Sequence, residues 1–564
     1  MALGALTKLA KIVPELFGLF AEGVTNGAAL LVRGVLAVDT IADLQSVPRR
    51  SDLRVTVKGY TATNRYGGGE FYWNAASLAT HNGGTVIAVT GVATGRWLRS
   101  GSDSAIMVDW FGAEPGNVTS QRTAIEAADA VALATGAILC FRGHVPYYAD
   151  ELFIKSRVVL GNHTVLMKSA TTNQGFFNWG NKPTGIVDGF VDGFNIDANG
   201  KDNVVNFRVY GNHTRSRVRN LILKDCDFYA FAIGGLTGQG DKDDVIDGLD
   251  LDGIYIASER GNVSLGTTYS FGLEIFPGVI AKNFRMRNIN TYGKILNKVH
   301  SVDGLDIDHV NFKASASFNP LSSGYCEINN CKNVVIGPNA VFDSGNNGTY
   351  YALLIGGTRV VGGQDVTNFT MSGKIIGQLA IEKVVDVQMT SEFKCSHQTQ
   401  IYNVCGRIGF NGGRLLSLNT PSGGTGSIEK IELTGVTMDG PVRFEFDTIP
   451  IAELIVTGGT FTLTSSQIRL NAVTYALFNG STILLRGTSP LTYALSAKNT
   501  NVTLQGVMMD GGGTWNRSIY AIDATGSIRM IKCVLDRMVS STILASGSSP
   551  LVLSLDNAVN GVAV

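Results

Sequence analysis

Two glutamates stand in short segments of matching pattern, Glu274 in GLEIF and Glu327 in YCEIN. In an extended chain, alternation turns Leu273 and Ile275 to one side and Glu274 to the other. Cys326 and Ile328 point inward by the same rule, and Glu327 points out. Two carboxyl groups on one face can cleave a glycosidic bond. One protonates the leaving oxygen and the other activates water, with about 6.5–9.5 Å between them in inverting enzymes and about 5–5.5 Å in retaining ones. The spacing therefore predicts a hydrolytic pair at Glu274 and Glu327, acting by inversion. A second acidic set lies in IDGLDLDGIYI and VDGLDIDHVNF, which turn Asp250, Asp252, Asp306 and Asp308 outward. Asp306 and Asp308 are the next candidates for catalysis. NFRMRN supplies Arg285 and Arg287 between those acidic segments, YGKILNK supplies Lys294 between the glutamates, and NFRVY and LAIEK turn Arg208 and Glu382 outward. Arg208, Asp250, Asp252, Arg285, Lys294, Tyr292 and Tyr325 are candidate substrate contacts. Tyr255, Tyr269, Phe271, Tyr350 and Tyr351 add flat apolar faces for sugar rings.

Residues so far apart meet only if the chain winds back on itself. Seven stretches begin with Asn or Gly and continue apolar, any, apolar, at Asn220, Gly248, Asn283, Gly304, Asn333, Asn368 and Asn501. The first six recur at roughly 20–35 residues, the period of coils that bury their apolar face only by stacking. The two Asp-rich segments are 56 residues apart, read as two coils, with a weaker copy in VDGFVDGFNI at 187–196. The outer face is then acidic, basic, acidic, at about 4.8 Å per rung. Glutamates two rungs apart have Cα atoms about 9–10 Å apart. The turn-rich segments 258–270 and 343–352 flank this zone and can wall a groove.

Bulk composition agrees with an all-β repeat. Glycine is 68 of 564 residues, and charged residues are 16% against a usual ~25%. The net charge of zero gives no pull towards nucleic acid or an anionic membrane. No stretch approaches the ~20 apolar residues of a membrane span. The seven cysteines show no CxxC spacing and read as buried thiols, with no disulfide framework and no zinc. His300 and His309 lack metal-ligand spacing, and no GxSxG elbow points to an esterase.

Upstream, Leu3, Leu6, Leu9, Val13, Leu16, Phe17 and Phe20 have helical spacing, and residues 1–38 read as a helical anchor. No export signal is evident there. Residues 39–104 read as a small β domain, with Leu53, Val55 and Val57 alternating and Phe71 and Trp73 resuming after Gly67, Gly68 and Gly69. That triple glycine is a bulge or tight turn, because no Lys-Ser/Thr follows it.

The segments VKGY, GGGEFYW and GRWLR, then VDWFGAEPGN and TAIEAADAVALATGAILCFRG, resemble tailed-bacteriophage tailspikes and capsular depolymerases. The resemblance covers roughly residues 40–145. It implies a right-handed single-stranded parallel β-helix over 105–430. The strand ending at Phe111-Gly112-Ala113 leads into a capping helix near 120–135 that uses Ile125, Ala128 and Leu133, and rungs start at Ile138 to Phe141. Ser120-Gln121-Arg122 stands where the family usually has acidic residues, which removes support for a metal in that loop. Residues 431–564 read as further rungs or as a C-terminal trimerisation or carbohydrate-binding region. The resemblance further implies a homotrimer in the virion tail, held to the tail or to another tailspike through its N-terminus and acting at the host cell surface. The partner is a bacterial surface polysaccharide, capsule or O-antigen, which the protein binds and depolymerises as a glycoside hydrolase without a cofactor. Two alternatives stay open. One is a lyase acting on a uronate, with calcium held by Asp250, Asp252, Asp306 and Asp308. The other is an adhesin that binds glycan without cutting it.

Overall fold

The computed structural model describes residues 30–563 apart from 33–34, 52, 171–174, 235–243, 262–269, 277, 317–324, 346–349, 357–365, 403–404, 421–425, 441–443, 465–466, 487–493, 512–518, 523–526, 537–542, 547–550, 556 and 560–561. The expected N-terminal helix, Tyr269 and most of segment 258–270 fall outside the described residues. The chain divides into two compact units, Met1–Asn181 with Asp188–Lys201, and Lys182–Val187 with Asp202–Val564.

The first unit opens with a sheet in the order Leu30–Val32, Val35–Val38, Arg54–Val57, Gly69–Asn74, Arg96–Arg99, Val86–Ala88. It therefore begins several residues before position 39. Val55, Val57, Phe71, Trp73 and Trp97 form its core. The triple glycine serves Arg99, whose buried guanidinium donates to the carbonyls of Gly67, Gly68 and Gly84 at 2.7, 2.7 and 2.9 Å. A methyl on Gly69 would lie 2.5 Å from that guanidinium.

The first coils follow. Ala105–Met107 pairs in parallel with Ile138–Cys140, which pairs with Val158–Lys168. The first rung thus precedes the helix, and a 3-10 turn at Val108–Phe111 stands where a strand end was expected. The helix Arg122–Thr135 buries Ile125, Ala128 and Ala132, whereas Leu133 is exposed. It works as a cap through its carboxylates. Asp129 accepts from the backbone N–H groups of Lys155 and Ser156 at 2.9 Å each, and Glu126 accepts from that of Phe153 at 3.0 Å. Such donors have no ladder partner at the end of a coil and are costly to bury unmet.

The second unit is a parallel β-helix. Two adjoining faces share the strands Arg217–Lys224, Asp250–Ser258, Ile280–Gly293 and Val302–Ala314, divided at Asn220, Gly253, Asn288 and His309, and the first face continues through Lys332–Ile336 and Thr367–Met371, all in register. Parallel pairing continues to the last coils, where Ser527–Ile531 meets Leu551–Leu555 and Val534–Asp536 meets Ala558–Val559. The described residues from 431 to 559 are therefore further rungs, and Val562–Ala563 folds back antiparallel on Ala558–Val559. All seven cysteines are free and buried.

The turn column explains the recurring Asn and Gly. Gly248, Asn283, Gly304, Asn333 and Asn368 all have φ between 51° and 81°, a region that L-residues other than Asn and Asp seldom enter. Asn220 belongs to a neighbouring column, because Leu221 pairs with Ile254 and so sets Asn220 beside Gly253. Asn501 opens a strand and lacks the positive φ of the column. Within the main column, Asn333 donates to Asp303 at 2.7 Å and accepts from Asn368 at 3.0 Å. Asn333→Ala loses both bonds and the tolerance for positive φ, about 1–2 kcal/mol for the latter. Asn333→Gly loses only the bonds, so thermal melts should rank wild type above Gly and Gly above Ala.

Candidate active site

One column of outward positions holds the expected pair. Strand pairing aligns Arg208 with Ala232, Ala232 with Glu274, Glu274 with Lys298, and Lys298 with Glu327. Glu274 and Glu327 thus face the same way, two rungs apart, with a cation between them. The interstrand spacing sets their Cα atoms about 9–10 Å apart.

The cation is Lys298, not Lys294. Gly293 turns the corner at φ 125°, where a methyl would lie 1.9 Å from the carbonyl oxygen of Ser258. Lys294 follows in that turn, and the next strand begins at Ile295. The register then shifts between Phe271 and Glu274, which brings Lys298 opposite Glu274. Asn297 repairs the interrupted ladder by accepting from the backbone N–H of Leu273 at 3.1 Å. The neighbouring Gly272 leaves room for it, since a methyl there would lie 2.4 Å from the Asn297 oxygen. Gly293 followed by Lys was the available sign of the corner.

This face differs from the others in being buried on both sides. Every residue of Val205–Val209, Tyr229–Ile233 and Ser270–Ile275 is buried. Glu274 is 7% and Glu327 2% exposed, while Lys298 is half-buried and marks where the trio reaches solvent. Burial raises the Glu274 carboxyl to about 7; Lys298 opposes the shift and Glu327 adds to it. Among the described residues, Glu274 Oε2 is buried without a hydrogen-bond partner. The Lys298 ammonium also stands 4.6 Å from the centre of the Phe271 ring. His300, two residues on, is held down to about 4, chiefly by burial and then by Lys298.

Of the other expected residues, Arg208 is buried on the same column, two rungs before Glu274, with its guanidinium 5.2 Å from the Tyr210 ring. Tyr325 is buried just before Glu327 and meets Tyr350 edge to face. Glu382 pairs with Tyr402 and lies two residues off the column. Asp250, Asp252, Arg285, Asp306 and Asp308 lie on a different face. There Arg217 and Arg219 precede Asp250 and Asp252, then Arg285 and Arg287, then Asp306 and Asp308. The expected alternation is present, and the ions pair along it: Arg219 with Asp250 at 3.7 Å and Asp306 with Arg285 at 3.4 Å. Asp306 and Asp308 therefore do not converge with the glutamates. Arginine rungs separate the four aspartates, so they do not close around one calcium. Tyr292 is exposed and pairs with Lys313, again away from the glutamates.

Residues 37–102 match the phage tail protein small four-stranded beta-sheet domain, a span that holds the antiparallel strands Arg54–Val57, Gly69–Asn74, Arg96–Arg99 and Val86–Ala88. The chain carries a phage tail domain. No curated protein matches this chain. Among solved structures, it is similar to the Acinetobacter phage vb_AbaP_AS12 gp42 tailspike, with 12% identity, 94% of this chain and 75% of that one covered, and a TM-score of 0.32. The gp49 tailspike of Acinetobacter baumannii bacteriophage Fri1, a capsular polysaccharide depolymerase, gives 12%, 92%, 74% and 0.29. WceF of Pantoea stewartii, a glycan biofilm modifying enzyme, gives 9%, 92%, 49% and 0.22. Fold and site rest on the strand pairing and side chains of this chain.

The pH dependence follows from Glu274. Its folded carboxyl titrates near 7 against an ordinary 4.5, so the folded protein keeps a proton that the unfolded chain releases in between. The stabilisation is complete below about 4.5 and is lost as pH rises through about 7. Glu274→Gln should flatten that part of the melting profile and raise stability at pH 8 by about 2–3 kcal/mol. Lys298→Met removes the opposing cation and should move the Glu274 titration to higher pH, measured by carbon-13 NMR of the carboxyl.

Proposed function

We propose that this protein is a phage tailspike that binds and depolymerises a bacterial surface polysaccharide, capsule or O-antigen, by inverting glycoside hydrolysis. The observation that carries the reading is the column Glu274, Lys298, Glu327, with two carboxylates aimed alike and one of them protonated near neutral pH. The match of residues 37–102 to a phage tail domain supports it, since a protein of the virion tail acts at the host surface. A homotrimer is the assembly that the resemblance of residues 40–145 implies.

Glu274 is the general acid, because burial keeps its proton available at pH 7. It donates to the glycosidic oxygen as the bond to the anomeric carbon breaks. Glu327 is the general base and takes a proton from the water that attacks that carbon from the opposite side. Rungs two apart leave space for that water, close to the separation of about 6.5–9.5 Å in inverting enzymes. Lys298 lies between them and steadies the negative charge as it moves from one carboxyl to the other. Arg208 and the Tyr325–Tyr350 pair supply polar and apolar contacts to flanking sugars. Glycan enters on the side where Lys298 is open to solvent.

Purified protein incubated with capsules from a panel of strains should release saturated oligosaccharides with an inverted anomer, seen by proton NMR. Glu274→Gln and Glu327→Gln should each lower the rate at least 1,000-fold while glycan binding is kept. Ultraviolet-absorbing unsaturated ends would mean elimination instead, and full activity in both variants would remove this pair.

A further inference from the structure

A third face carries a column that the glutamates do not use. Strand pairing aligns Val341 with Lys374, Lys374 with Lys394, Lys394 with Arg414, and Arg414 with Thr437. Three cations therefore occupy successive rungs about 4.8 Å apart. Like charges directly opposite one another are destabilising. Like charges also meet as single pairs, Arg407 opposite Lys430 and Asp510 opposite Asp536, but here three follow one another. Asp247, Lys282, Asp303 and Lys332 alternate in sign along one column, and the Arg and Asp rungs beside it do the same. Their backbone positions are fixed, because their neighbours Ile375, Cys395 and Leu415 are anchored in the core. Asp439 meets Arg414 at 3.0 Å and also accepts from Thr462 at 3.1 Å. Among the described residues, no ion pair reaches Lys374 or Lys394.

We propose that Lys374, Lys394 and Arg414 form a binding site for the carboxylate groups of an acidic polysaccharide, separate from the glutamate column. The cations line a cavity of about 290 Å³ together with Ser396 and Asp439. Arginine grips a carboxylate with two parallel N–H groups, and lysine adds a point charge. The same column runs back through Asn311 and Asn290 to Tyr255, which is 41% exposed. There a groove of about 530 Å³ is lined by Asn290, Asn311, Lys313 and Asp343. Amides and an aromatic face suit neutral sugar hydroxyls and rings, so one extended chain meets neutral contacts first and cationic contacts beyond. One rung is close to the length of one pyranose unit. The assignment borrows from the proposed function only the choice of a glycan as the carrier of the charge.

The test uses the full chain and two probes, polygalacturonate and its fully methyl-esterified form, titrated calorimetrically at low salt. Polygalacturonate should bind, the ester should bind at least tenfold more weakly, and added salt should weaken the acid form. Lys374→Gln with Lys394→Gln should lower affinity for the acid at least tenfold and leave the melting temperature unchanged or higher, since repulsion is relieved. Glu274→Gln should bind as the parent does, whether or not the parent cleaves, which keeps this result apart from that of the hydrolysis test. No binding of polygalacturonate, equal binding of acid and ester, undiminished binding by the double variant, or a lower melting temperature in it would each overturn the assignment.

Discussion

Backbone hydrogen bonding between successive coils, in one fixed register, is the constraint on which everything else in this protein rests. Once Leu251 is opposite Met286 and Met286 opposite Ile307, every side chain between them has its neighbours assigned. Distance along the chain loses its meaning, and position on a rung replaces it. The same constraint explains the exceptions. Where the register slips beside Glu274, an amide side chain, Asn297, takes over one ladder bond. Where the ladder begins, carboxylates on the helix Arg122–Thr135 answer the free donors.

Because the register is shared, charge on this molecule is read by column, and three columns treat it in three ways. On one face the signs alternate, and exposed pairs of this kind are worth little each, about 0–1 kcal/mol. Their value is in holding rungs in step. On the second face opposite charges are withdrawn from water, where burial changes the protonation of Glu274. On the third, like charges are stacked in the open, at a small cost in stability. Only the first arrangement serves the fold by itself. The other two oppose stability, which is where function is commonly found.

Much of the fold could be read from the amino-acid sequence, and for a physical reason. A coil that must turn sharply needs left-handed backbone, and only Gly and Asn enter it at low cost, so the turns at Gly248, Asn283, Gly304, Asn333 and Asn368 left a visible spacing. Strand alternation placed Glu274 and Glu327 correctly on one side, and the two Asp segments correctly two coils apart. The intervening lysine was misplaced because alternation assumes an unbroken strand, and a register shift is a tertiary event. Asp306 and Asp308 seemed close to the glutamates because they lie at similar heights. Which face of the coil each segment occupies depends on where the corners fall, and corners such as Gly293 leave only a single residue as a trace. The same ambiguity hid the cation column, since Lys374, Lys394 and Arg414 carry no repeat motif.

The seven thiols carry a last consequence. Each is buried outside any disulfide, and burial pushes Cys331, for one, up to about 12. None is a ready nucleophile at neutral pH. A protein whose cohesion owes nothing to sulfur oxidation holds together equally in the reducing interior of a cell and in the aerated medium outside it.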